Sequence, residues 1–371
     1  MGQERESYIQ YDIEGLDDTE SEGWGDYPLD TVFVRTEQRT VGEVVSRISK
    51  GRYQLDPDFQ RDFVWPLSKQ SRLIESSLMR IPLPVFYVAE DHDGRIIVVD
   101  GLQRLTTFYR YINNDFSLRG LESVDTNNLI SGRRFSELPM HLQERIEDTQ
   151  LTLYILDPKA PERARLDIFE RVNSGMSLTK QQMRNCLYSG PATRWLKAAG
   201  NNPIFVQATG GSLQKKSMRD REVINRFCAF YLLGYDSYKG DMEDFLALAL
   251  KRMNELSDDE LNQLMVLFEK SMFLNNKIFG EHAFRKSAGS PVAYPSRTII
   301  NVSLFDVFSV IFAKNSVVFD SFERDELSVF MYRLLSNDDF NNAISYSTNS
   351  ARQVRKRFEC AINEMRESGL C

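Results

Sequence analysis

The sequence predicts an α+β protein in which a small mixed-sheet domain is followed by a mainly α-helical one. Three observations predict it. Two β-rich runs, residues 85–88 and 95–99, flank Glu90-Asp-His-Asp-Gly94, whose Asp-Gly is a hairpin signal. The second run passes straight into Asp100-Gly-Leu-Gln-Arg104 and a helical pattern at 105–112, so Gly101 marks a strand-to-helix turn. From Leu178 onward the patterned stretches have helical spacing.

Each element follows from local signals. Thr40 and Glu43 have capping-box spacing, Val41, Val44, Val45 and Ile48 form an apolar stripe, and Gly51 is a stop, which predicts a short amphipathic helix. Residues 55–65 are extended around Pro57. They lead to a helix capped by Ser68, carrying Leu73, Ile74 and Leu78 and ended by Pro82 and Pro84. His92 falls in the hairpin turn, as a turn residue rather than a ligand. After a polar loop at 117–134, residues 150–156 form a strand and 161–172 a helix. Further helices are expected at 178–187, 221–233, 242–253, 258–273, 302–313 and 352–365, separated by Gly210-Gly-Ser212 and a loop at 287–296. Residues 302–313 are apolar nearly all round, the pattern of a helix buried on most sides.

Composition bounds the class. With 371 residues, 42% hydrophobic and 27% charged, the chain is a soluble globular protein long enough for more than one domain, not a disordered one. The net charge of −7 conceals an asymmetry: residues 1–30 hold ten acids against Arg5, a balance of −9, so the remainder carries +2. The expected organisation is an acidic flexible tail at 1–30, an α/β domain at 31–176 and a helical domain at 177–371. The tail is either a solvated segment or one that competes with phosphates for a basic groove. Cys186, Cys228, Cys360 and Cys371 contain no C-x-x-C pair, giving neither a disulfide framework nor a zinc site, and imply a reducing, cytoplasmic compartment. The longest apolar stretch, residues 299–313, is interrupted by Asn301, Ser303 and Asp306 and is shorter than a membrane span, and no signal segment opens the chain. There is no G-x-x-x-x-G-K-[ST] loop, no G-x-S-x-G elbow and no H-E-x-x-H.

The strand-to-helix turn is the most informative junction. A strand, then Gly101, then Arg104 at a helix opening offers backbone N–H groups, the positive end of a helix dipole and a fork-shaped cation, which is what a phosphate needs. Asp100 at the strand end can hold Mg²⁺ against that phosphate or position a water. The same turn also occurs for purely structural reasons. Gln60-Arg61 lies between Phe59 and Phe63-Val-Trp65; Arg61 either contacts a ligand or pairs with Asp58 or Asp62, and Trp65 is a core residue. In residues 168–175, Arg171 and Asn173 either reach a bound polar group or supply a C-cap and a surface pair. Two basic stretches offer phosphate contacts for DNA: Lys215, Lys216, Arg219 and Arg221, and Arg355 and Lys356 within 352–357. The alternative for both is a solvated helix face.

In order, Phe59-Gln-Arg61 with Val64-Trp65, Ile81-Pro-Leu-Pro84, Val99-Asp-Gly-Leu-Gln-Arg-Leu-Thr106, Phe169-Glu-Arg-Val-Asn-Ser-Gly175 and Arg184-Asn185 resemble the N-terminal-domain family of GmrSD-type restriction endonucleases. Asp220-Arg-Glu-Val-Ile-Asn-Arg226 and residues 301–313 resemble its helical continuation, so the resemblance covers roughly residues 35–320. It implies a ParB/sulfiredoxin-like nucleotide fold and a phage-defence role through nucleotide hydrolysis or DNA cleavage. On that resemblance Asp100, Gln103 and Arg104 are catalytic, Asp100 holds the divalent cation, and Gln60, Arg61, Gly101, Arg104, Arg171 and Asn173 bind the phosphates of a nucleoside triphosphate. The implied partners are a nucleotide, DNA and a partner defence protein, with no membrane.

Two departures stand out. The family usually has Gln where this chain has Leu102. His92, His141 and His282 are the only histidines, widely separated, so the chain cannot build the His-Asn-His nuclease half that many members carry. Any DNA cutting then falls to the Asp100 turn or to a partner. A non-catalytic DNA-binding or protein-interaction module with the same fold is the alternative.

Overall fold

The computed structural model describes residues 13–16, 34–55, 65–90, 94–121, 129–157, 168, 179–215, 217–290, 296–315 and 324–369. The chain divides into two compact units, one of residues 24–187 and one that joins residues 1–23 to 188–371. The first carries the sheet and the second is helical, as the fold class predicted.

The sheet unit begins with β1 (Val34–Thr40), which feeds directly into α1 (Val41–Ser49). Thr40 is extended and its hydroxyl accepts from Glu43 N at 3.2 Å, the N-cap half of the expected capping signal. β2 (Tyr53–Gln54) and α2 (Leu67–Leu78) follow. The cap of α2 differs from expectation: Pro66, not Ser68, occupies the N-cap, and Gln70 Nε2 donates to Trp65 O at 2.8 Å beside it. β3 (Phe86–Glu90) and β4 (Ile96–Asp100) form the anticipated antiparallel pair, α3 (Leu102–Ile112) starts directly after Gly101, three residues before the expected 105, and α4 (Met140–Glu147) leads to β5 (Gln150–Leu156).

These strands make one mixed sheet in the order β1-β5-β3-β4-β2, with β3 parallel to β5, β2 parallel to β4 and the other neighbours antiparallel. Strand alternation sends Phe86, Val88, Ile96, Val98, Leu151, Leu153 and Ile155 to one face. There they meet Val44, Ile74, Leu105, Phe108, Tyr111 and Ile146 from the helices, and this is the core that fixes the end of β4 against the start of α3. Ile97 and Val99 are buried as well, on the opposite face, so β4 is apolar on both sides up to Asp100. A final helix, α5 (Lys180–Leu187), packs on β4 and closes this unit. The expected boundary at 176/177 therefore moves to 187/188.

The helical unit consists of α6 (Pro191–Asn201), α7 (Pro203–Thr209), α8 (Arg219–Leu232), α9 (Met242–Asn254), α10 (Asp258–Phe279), α11 (Val302–Lys314), α12 (Arg324–Ser336), α13 (Asp338–Ser345) and α14 (Ala351–Glu367). As its pattern predicts, α11 is buried at every residue from Val302 to Ala313, with α8, α10 and α14 packed around it. Asn301 caps it, its side chain accepting from Leu304 N at 2.9 Å.

One expectation for the N-terminus is corrected. Within the acidic stretch, Ile13 and Leu16 are buried and Glu14 bridges to Asn301, with Glu14 N donating to Ile300 O at 2.9 Å and Val302 N to Glu14 O at 3.0 Å. Residues 13–16 are thus pinned to the helical unit, because two apolar side chains and two backbone hydrogen bonds outweigh the tail's charge. Glu14 itself pairs with Lys286.

Candidate phosphate-binding site

The site is built where β4 becomes α3. The register between β3 and β4 slips by one residue: Val88 faces Val98, but Tyr87 faces Asp100. Val99 is therefore an extra residue just before Asp100, and a bulge of this kind re-aims the side chain that follows it. Gly101 then turns the chain at φ 100°, a left-handed conformation that glycine adopts without a steric penalty. Space demands glycine too, since a Cβ at this position would lie 2.3 Å from Phe86 Cδ1. Among the described residues, no side chain caps the N-terminus of α3.

Arg104 comes back over this turn. Its guanidinium donates to Pro84 O, to Val85 O at 3.2 Å and to Asp100 Oδ2 at 2.8 Å, and it lies 4.3 Å from the centre of the Phe86 ring. The Arg104 side chain is 11% exposed and that of Asp100 43%. Burial lowers the guanidinium's pKa, with the Asp100 carboxylate pulling it back up. Arg104 is thereby a clamp that ties the loop before β3 to the end of β4. Asp100 keeps much of its carboxylate in solvent.

Gln103 faces the other side of the turn, where its Oε1 accepts from Trp65 N at 3.3 Å. This contact brings the end of the Phe59–Trp65 motif to the Asp100 turn. Trp65 itself packs against the core, as expected, with Lys69 Nζ 4.5 Å from its ring centre. Leu102, the departure from the family pattern, is a buried core residue. Gln60, Arg61, Arg171 and Asn173 lie outside the described residues, as do His92 and most of the helix expected at 161–172. Arg184 and Asn185 of α5 are fully buried and joined through Gln181, which accepts from Arg184 Nε at 3.0 Å and donates to Asn185 Oδ1 at 2.8 Å.

The expected DNA contacts are divided. Lys215 is exposed, its Nζ 2.9 Å from Asn201 Oδ1, while Arg219 and Arg221 are half-buried at the start of α8 and Lys216 is outside the described residues. On α14 Arg355 is exposed, but Lys356 pairs with Asp339 at 2.7 Å. The basic stretch 352–357 is also not one solvated face: Arg357 is fully buried, because its guanidinium meets Asp306 of α11 at 2.7 Å. Among the described residues, no group of three or more His, Cys, Asp or Glu side chains is arranged to hold a metal ion.

Sequence reasoning missed three parts of this site: the bulge at Val99, the Phe86 ring under Gly101, and the carbonyl groups of Pro84 and Val85 that take Arg104. The Ile81-Pro-Leu-Pro84 motif was the available signal, since a proline-fixed loop presents carbonyl groups in a set direction.

Residues 41–189 match the family described as GmrSD restriction endonuclease, N-terminal domain, and this segment is a domain of that kind. The match ends two residues after the sheet unit does. No curated protein matches the chain. No helix among the described residues is long and apolar enough to cross a membrane.

Proposed function

We propose that the Asp100–Arg104 turn handles the phosphates of a nucleoside triphosphate in a cytoplasmic, restriction-type defence protein that acts on DNA, and that hydrolysis at this turn controls that action. The observation that carries this reading is the half-exposed carboxylate of Asp100, held from behind by Arg104 and set beside the uncapped N-terminus of α3. A helix N-terminus attracts an anion through its N–H groups and dipole. Asp100 is a single carboxylate with one oxygen engaged by Arg104, so these residues suit a magnesium ion that takes its remaining ligands from phosphate and water. Such an ion, when bound, neutralises phosphate charge. The chain's own contributions are then distinct: Gln103 positions, Gly101 lets the backbone approach, and Arg104 holds the turn in shape. Gln60, Arg61, Arg171 and Asn173 belong to the same proposal through their motifs, with Lys215 and Arg355 as exposed contacts for DNA phosphates.

The test is phosphate release from each common nucleoside triphosphate with Mg²⁺, with and without DNA, comparing the parent chain with Asp100→Asn. Turnover in the parent that is lost in the variant supports the reading; equal rates in both remove Asp100 from it.

A second reading, a non-catalytic DNA-binding or protein-interaction module, draws on one observation. The Arg104 guanidinium is held by Pro84 O, Val85 O and Asp100 Oδ2, as in a purely structural turn. Salt-sensitive DNA binding with no nucleotide turnover is its signature.

A further inference from the structure

The loop after α7 brings two arginines together, and among the described residues no carboxylate pairs with either. Gly210 and Gly211 both adopt φ 64°, ending α7 and leading to Ser212. A Cβ built on Gly210 would have Arg297 Nη1 at 3.0 Å and Arg285 Nη2 at 3.8 Å, so the two guanidinium groups flank the same point. Arg285 is 1% exposed. Its hydrogen bonds all go to neutral acceptors: Ala283 O at 2.8 Å, Thr209 O at 2.9 Å and Ser212 Oγ at 2.9 Å. Its Nε is buried with no hydrogen-bond partner among the described residues.

Arg297 is exposed and makes no hydrogen bond or ion pair among the described residues. The acid that acts on Arg285 is Glu281, itself 70% exposed and 3.7 Å from His282 Nε2. Lys286, the next cation along the chain, is already committed to Glu14 and Ser345. Burial and the field of Arg297 together push the Arg285 guanidinium down to about 10. A buried Arg285 whose hydrogen bonds go only to carbonyl and hydroxyl oxygens is costly to keep beside a second cation, and an anion placed between the two lowers that cost.

We propose that Arg285, Arg297 and the Gly210-Gly211-Ser212 turn form a second anion site, in the helical unit, that takes a phosphate oxyanion. Arg297 is the residue that touches the ligand. Its planar fork matches two phosphate oxygens, while the buried Arg285 supplies field and rigidity from behind. Glycine at 211, with no atom within 4 Å of a Cβ built there, leaves the approach open. The phosphate comes either from a DNA backbone or from a free nucleotide.

The experiment uses the full chain and three probes at matched ionic strength: inorganic phosphate, a nucleoside triphosphate and a short DNA duplex, each titrated against the parent, Arg297→Gln and Arg297→Lys, with the duplex titrated over a salt series as well. Arg297 is exposed and unpaired, so both variants should unfold at the parent's temperature when no phosphate is present, and that measurement accompanies the titrations. Arg297→Gln is expected to weaken inorganic phosphate binding about tenfold or more, the scale of a hydrogen bond to a charged group, and Arg297→Lys to recover part of it. If the DNA source is right, duplex affinity falls too, and the slope of log affinity against log salt flattens by about 0.9 for the one lost contact. If the nucleotide source is right, the triphosphate weakens and the duplex does not. Arg297→Gln binding all three probes as tightly as the parent overturns the site.

Discussion

Both units of this protein bind an aspartate with arginine, and they do so in opposite ways. In the helical unit Asp306 is sealed at the centre of α11, with Arg226 of α8 at 2.9 and 2.6 Å, Arg357 of α14 at 2.7 Å, and none of the three side chains more than 2% exposed. In the sheet unit Asp100 shares one oxygen with Arg104 and leaves the rest of its carboxylate in water. The sealed cluster holds two cations against one anion, with Asn349 Oδ1 accepting from Arg226 and the Thr348 carbonyl from Arg357, while Arg357 Nε is buried with no partner among the described residues. Burial depresses Arg357 to about 10, whereas for Arg226 the pull of Asp306 outweighs the same burial. A side-chain pair sealed in this way can only hold helices together. One that is half-open can also meet a ligand, which is why the chemistry is assigned to Asp100 and not to the stronger cluster.

The sharpest way to break that contrast is to remove the sealed carboxylate. Asp306→Ala leaves two buried guanidinium groups uncompensated, and the expected loss is about 3–5 kcal/mol of stability, read by chemical denaturation. A loss below about 1 kcal/mol would mean that water or neutral acceptors carry those charges, and that the cluster is not the brace of the helical unit.

Next in size is Gly101→Ala, expected to cost about 3 kcal/mol: the left-handed backbone penalises any Cβ, and this one overlaps the Phe86 ring. If the variant is as stable as the parent, the turn is looser than its geometry indicates and is a poor base for positioning a phosphate.

A third aspartate sharpens the comparison by lacking a sealed partner. Asp220, near the start of α8, is buried beside Gly200, its Oδ1 has no hydrogen bond, and burial raises its pKa from 3.8 to about 6 against the pull of Arg221 and Lys215. With the folded value above the unfolded one, the native state holds a proton that the unfolded chain has released. This group therefore costs nothing at low pH, and its penalty grows as pH rises from about 4 to about 6, reaching on the order of 2–3 kcal/mol. Asp220→Asn should remove the penalty, so its stability advantage over the parent should grow between about pH 4 and 6 and level off above that; an advantage independent of pH would refute this.

Arg104→Ala follows, with an expected loss of about 2 kcal/mol, because hydrogen bonds from a charged donor to Pro84, Val85 and Asp100 disappear together. Arg104→Lys should not restore it, since a single ammonium cannot span acceptors arranged for a fork. Full stability in the alanine variant together with weakened nucleotide affinity would instead make Arg104 a ligand residue.

Much of this arrangement was legible in the sequence, for reasons that differ by element. The hairpin, the strand-to-helix turn and the Thr40 cap depend on residues close in the chain, and local chemistry suffices to find them. The buried helix at 302–313 was equally plain, since its apolar residues leave no solvated face. What escaped notice depends on distant partners. Nothing near Arg357 distinguishes it from exposed Arg355, and only Asp306, 51 residues away, decides which of the two is buried. Likewise the clamp on Arg104 rests on two backbone carbonyl groups some twenty residues earlier, which no side-chain pattern reveals.

The smallest expected effect on stability belongs to Asp100→Asn, and it separates the two uses of an aspartate most directly. At 43% exposure the pair with Arg104 is screened by water, so its loss should change stability by less than about 1 kcal/mol, in contrast to the loss at Asp306. The amide keeps the shape of the carboxylate and can still accept from the guanidinium, so the clamp on the turn survives. What it lacks is the charge that would hold a divalent ion or orient water. Nucleotide binding should therefore fall less than turnover in this variant, with calorimetric affinity and phosphate release measured on the same preparation. If affinity and turnover are both unchanged, Asp100 serves only to dock Arg104, and the half-open pair does the same structural work as the sealed one. If instead Asp100→Asn destabilises the fold as much as Asp306→Ala, exposure is the wrong measure of what such a pair contributes, and the contrast between the two units fails at its base.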